Sequence, residues 1–174
     1  MLEILKYCLP AIIVLGTTWI VIAKMLRNEE QKRNWELKKH TQKEITQIKL
    51  RAYERLVLLL ERTQPEYMLT HIAPIELTQK TVPELQQELL RTVRMEFDHN
   101  LSQQIYISDE VWDKVILARD EMGAFINAMS MQLPPNSSTL DYAKILMTAY
   151  NSNGDTPHAL AMAALKDEAR RELE

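Results

Sequence analysis

The chain has 174 residues, 46% of them apolar and 26% charged, with a formal net charge of −3. That composition suits one compact domain and hardly two, and it excludes collagen-like, low-complexity and fully disordered architectures. The single cysteine, Cys8, excludes an internal disulfide framework and a multi-cysteine metal cluster.

Charge and hydropathy are unevenly spread. From Tyr7 to Ala23 the chain carries no charge and is bracketed by Lys6 and Lys24. At about 1.5 Å per residue, the roughly 20 residues from Leu5 to Met25 match a ~30 Å hydrocarbon layer. The run therefore predicts one transmembrane helix, with Pro10 in its first turns and Tyr7 and Trp19 toward the two interfaces. It is too long for a cleavable signal peptide and ends at Lys24 without a small-x-small site.

Residues 24–51 hold nine basic against four acidic side chains, and residues 52–174 eleven basic against nineteen acidic. By the positive-inside rule the bulk of the chain is expected in the cytoplasm, with a short N-terminus outside. Lys24, Arg27, Lys32 and Arg33 would lie nearest the lipid headgroups. The domain plan expected is an anchor over 1–27, a basic helical stalk over 28–50 and a helical domain over 51–174.

Beyond Asn28 the pattern is helical throughout, without the alternating β-branched runs that mark strands. Ile45, Ile48, Ala52, Leu56, Leu59 and Thr63 trace one apolar face; Arg51, Glu54, Arg55, Glu61 and Arg62 form a polar stripe into which Leu58 intrudes. Pro65 ends that helix, and a short helical turn over 66–72 and a loop are expected before the next. Thr81-Val82-Pro83-Glu84 reads as a capping box opening a helix with Leu85, Leu89, Val93, Phe97 and Leu101 on its buried stripe. Ser108 caps a helix reaching about Gln132, with Val111, Val115, Ala118, Met122, Phe125 and Met129 as a heptad seam and Trp112, Ile116 and Ile126 widening it.

Pro134-Pro135-Asn136-Ser137 breaks the chain. Ser138 and Asp141 then open a helix to Asn151 whose seam is Leu140, Ala143, Met147 and Tyr150. Gly154 stops it, and Thr156-Pro157 opens a terminal helix with Leu160, Ala161, Ala164 and Leu165 inward. The fold class expected is all-α: a single N-terminal transmembrane helix, a polar helical stalk and a cytoplasmic helical bundle of about four main helices.

Two stretches, Arg51-Ala52-Tyr53-Glu54-Arg55-Leu56-Val57-Leu58-Leu59-Leu60-Glu61-Arg62 and Glu96-Phe97-Asp98-His99-Asn100-Leu101-Ser102-Gln103-Gln104-Ile105-Tyr106-Ile107-Ser108, resemble a family of short uncharacterised single-pass proteins from Bacteroidota. The resemblance implies a bacterial inner-membrane protein and carries over no functional residue.

The residues give catalysis little to work with. Glu96 and His99 make a Glu-x-x-His pair, but di-iron bundles use two such pairs and two further glutamates, and no second pair occurs. Glu36 and His40 lie on the polar stalk, and His71 and His158 sit beside helix boundaries, where a turn-stabilising role is expected. No Ser stands in a Gly-x-Ser-x-Gly turn, and Gly16, Gly123 and Gly154 are too scattered to cradle a phosphate. No enzyme activity, cofactor or metal is expected, nor a nucleic-acid partner for the acidic distal part.

What remains is association. The polar segment 98–108 either bridges two helices or faces a partner, and Leu58, His99, Asn100, Gln103, Gln104 and Tyr106 are the candidate contact residues. The expected function is a membrane-anchored helical adaptor or accessory subunit of a larger inner-membrane assembly. A self-assembling homo-oligomeric scaffold is the alternative, and a small-molecule or lipid sensor a third.

Overall fold

The computed structural model describes residues 2–152, 154 and 156–173, with side chains over 15–152, 154 and 156–172. Helix α1 runs Leu2–Arg62, and the chain forms two compact units, Met1–Ile45 and Thr46–Glu174. The described residues are all-helical, with no strand among them.

In the first unit every described side chain except Ala23 is exposed, including Trp19, Trp35 and Leu37. Among the described residues no helix is long and apolar enough to cross a membrane, which overturns the expected transmembrane anchor and with it the single-pass inner-membrane location. Past Ala23 the helix carries Lys24, Arg27, Glu29 and Glu30 within two turns. Tyr7, Cys8 and Pro10 have side chains outside the described residues. Lys24, Arg27, Lys32 and Arg33 are exposed on α1, and Arg27 donates its Nε–H to the Ala23 carbonyl at 3.4 Å.

The second unit holds the end of α1, two short helices α2 (Pro65–Thr70) and α3 (Pro74–Gln79), and four longer ones. These are α4 (Val82–Asn100), α5 (Asp109–Met131), α6 (Thr139–Asn151) and α7 (Pro157–Leu173); a 3-10 helix, Leu101–Tyr106, joins α4 to α5. The loop expected after Ile72 contains α3, whose first turn starts on Pro74.

Local chemistry sets the helix starts. Thr81 N–H donates to Glu84 Oε2 at 2.7 Å, closing the capping box of α4. Ser138 does the same with Asp141, its N–H donating at 3.0 Å. Thr156 Oγ1 accepts the Ala159 N–H at 3.2 Å at the start of α7. Between α5 and α6, Ser137 N–H returns to the Pro134 carbonyl at 3.2 Å with Asn136 at φ 70°. That is a turn with proline second and a left-handed third residue, a conformation asparagine tolerates.

Two apolar clusters fill the unit, and α4 and α5 contribute to both. In one, Leu56 and Leu60 of α1 meet Val115 and Ala118 of α5 and Leu165 of α7, with Phe97 stacked on Trp112 at 5.3 Å. In the other, Leu85 and Leu89 of α4 meet Ile126 of α5 and Tyr142 and Leu146 of α6.

Helix direction follows from the pairings. Lys49 meets Glu172 at 2.7 Å, Tyr53 meets Glu168 at 2.9 Å and Thr63 meets His158 at 2.9 Å. Each step forward along α1 equals a step back along α7, four residues and then ten, so the two helices are antiparallel and in register. Helices α4 and α5 are likewise antiparallel, joined near one end by Phe97 and Trp112 and near the other by Gln86 and Asn127 at 2.7 Å.

The buried faces differ from expectation at several positions. Ile45 and Ile48 are about half exposed, so the inward stripe of α1 starts at Ala52 and gains Tyr53 and Leu60. Leu101 is exposed because α4 gives way there to the 3-10 helix, and Asn100 takes the buried place. Leu140 and Leu160 are each 53% exposed: α6 turns Thr139, Tyr142 and Leu146 inward, and α7 turns His158, Ala161, Met162 and Leu165 inward.

Candidate functional site

Arg51, Arg55, Leu58 and Arg62 succeed one another at intervals of four, three and four, so α1 presents them on one face. With Glu54 of the same helix and Glu96, His99 and Asn100 of α4 they line a surface groove of about 490 Å³. Leu58 is 48% exposed within it. Arg62 reaches Glu96 at 3.6 Å and ties the two walls together, while Arg51 and Arg55 make no ion pair among the described residues. Asn100 is buried, and its Nδ2 donates to the Glu96 carbonyl at 2.9 Å, ending α4.

The six candidate contact residues thus fall into separate places. Leu58, His99 and Asn100 meet in this groove. Gln103 and Gln104 sit on the 3-10 helix and, among the described residues, bond locally, Gln103 Nε2 to Ser102 Oγ at 3.2 Å and Gln104 Nε2 to the Leu101 carbonyl at 3.0 Å. Tyr106 lines a second depression beside Lys49, Glu168 and Arg171.

That second depression is organised by Glu168. Its carboxylate accepts from Tyr53 Oη at 2.9 Å, from the Ser108 N–H at 3.0 Å and from the Ser108 hydroxyl, which also caps α5. Burial alone would raise the Glu168 pKa; the bonds from Ser108 and Tyr53 outweigh it and hold the carboxyl below its ordinary range. Burial and the neighbouring carboxylate push the Tyr53 hydroxyl well up. One carboxylate therefore joins α1, the 3-10–α5 junction and α7.

The sequence reading passed over a third constellation. His158, 3% exposed in the first turn of α7, has Nε2 2.9 Å from Thr63 Oγ1, itself 2% exposed at the end of α1. The Thr63 hydroxyl gives its single hydrogen to the Leu59 carbonyl at 2.8 Å. The imidazole must then donate Nε2–H, which assigns the tautomer and leaves Nδ1 with its lone pair. Burial pushes the His158 pKa down to about 4. Thr63 was the available signal: a polar residue on the apolar stripe of α1 calls for a polar partner from elsewhere in the core.

His158 also lines a cavity of about 360 Å³ with Glu121, Phe125, Tyr150 and Thr156. Phe125 and Tyr150 meet edge to face at 5.9 Å, and Tyr150 and His158 at 6.3 Å. Among the described residues no group of three or more His, Cys, Asp and Glu is placed to hold a metal ion, and Glu96 is engaged by Arg62.

These features belong to a protein that is all-helical among its described residues. The chain belongs to a family of unknown function, DUF7935, whose model matches residues 1–172. No curated protein and no solved structure matches it.

Proposed function

We propose that this protein acts by protein–protein association, as a helical adaptor or accessory subunit of a larger assembly, with the groove between α1 and α4 as its docking face. The observation that supports this reading is Leu58, half exposed on a stripe where Arg51 and Arg55 have no described ion-pair partner. An exposed apolar side chain beside guanidinium groups that have no described ion-pair partner is a surface suited to association, since arginine is enriched at interfaces and among the residues that carry binding energy. The role is non-catalytic, and the acidic balance of residues 52–174 disfavours nucleic acid. A bacterial source belongs to the same reading and rests on the two stretches quoted above.

Leu58→Glu tests it. The side chain is at the surface, so the melting temperature should stay within about 2 °C of the parent. Proteins that co-purify with the tagged parent chain from its native source should be lost or fall at least tenfold with the variant. Co-purification that is unchanged by Leu58→Glu, or a parent chain that retains no partner, would overturn the proposal.

A further inference from the structure

The cavity bounded by α5, α6 and α7 has a lopsided chemistry. Its described lining offers the rings of Phe125, Tyr150 and His158 and the carboxylate of Glu121, and no Lys or Arg. An adjoining depression shares Tyr150, Thr156 and His158 and adds Glu61, again without Lys or Arg among the described residues. The chain as a whole carries 21 basic side chains, yet among the described residues each of these neighbouring hollows has one carboxylate and no basic side chain in its lining, which makes the local field negative. The buried imidazole adds no positive charge at neutral pH, and its N–H is already committed to Thr63, which leaves an acceptor on a ring that lines the space.

We propose that this cavity binds a small organic cation, a protonated amine on an apolar or aromatic body. The edge-to-face rings of Phe125 and Tyr150 supply quadrupole attraction, Glu121 supplies the counter-charge, and Met122 and Pro157 contact the apolar body. The volume of about 360 Å³ lies within the range of small-ligand sites. An anionic ligand would meet Glu121 without a compensating cation, and a neutral one would forgo the strongest interaction available.

Titration calorimetry on the full chain tests this with three probes of one shape: benzylammonium, benzyl alcohol and phenylacetate. Benzylammonium should bind saturably in the low millimolar range, and the other two at least about fivefold more weakly, the scale of one cation–π or charge contact. Glu121→Gln, at an exposed position that leaves folding intact, should weaken benzylammonium by a similar factor. Phe125→Leu should do the same while keeping the apolar volume. Absence of saturable binding, equal binding of the three probes, or benzylammonium binding indifferent to both substitutions would each overturn the proposal.

Discussion

Because Thr63 spends its only hydroxyl hydrogen on the Leu59 carbonyl, His158 has to remain a donor at Nε2, and a second proton would place a charge in a site 3% exposed. Its folded pKa of about 4 lies below the ordinary 6.5, so the unfolded chain takes up the proton first. The contribution is complete above about pH 6.5 and is lost as pH falls toward 4. Between pH 7 and pH 5 this one group should cost about 2 kcal/mol of stability, read as a fall in the urea midpoint. His158→Gln, which keeps an N–H donor and cannot titrate, should remove that part of the pH slope. An equal slope in both proteins would mean that the histidine is not buried as described.

At the scale of the element, α5 carries a glycine in its interior. A Cβ on Gly123 would meet Leu90 Cδ2 at 3.9 Å, an ordinary contact. Gly123→Ala should therefore stabilise the protein by about 0.5–1 kcal/mol, because the unfolded chain loses freedom and nothing in the folded one must move. Thermal unfolding measures it; a lower melting temperature would mean that α4 and α5 pack more tightly than described. Helix starts were the most legible feature of the sequence, since Thr81-Glu84 and Ser138-Asp141 are local signals read within one turn. Inward faces were legible where one stripe dominates, as with Leu85, Leu89, Val93 and Phe97 of α4. They were not legible on α6, where the neighbours choose Tyr142 over Leu140, and only in part on α7, where Ala161 and Leu165 face inward as expected but Met162 takes the place of Leu160. The Thr63–His158 pair joins residues far apart in the chain, and no local pattern encodes such a partner.

For the whole molecule, the division into Met1–Ile45 and Thr46–Glu174 separates a helical unit with exposed described side chains from a unit with a double core. The uncharged run near the N-terminus invited a membrane anchor, and among the described residues no helix is long and apolar enough to serve as one. Five of the six candidate contact residues, all but Leu58, were drawn from the polar stretch 98–108 of the sequence. The fold divides that stretch between a groove, a 3-10 turn and the Glu168 junction, and brings Leu58 from α1 to His99 from α4 across 41 positions of chain. The reading of this protein as an associating module therefore rests on the groove. A photo-reactive amino acid placed at Leu58 in the native cell, with Leu117 as a control of equal exposure on α5, measures that most directly. The account predicts a discrete crosslinked product from position 58, to another protein or to a second copy, that is absent from position 117. Equal products from both positions, or none from position 58, would contradict it.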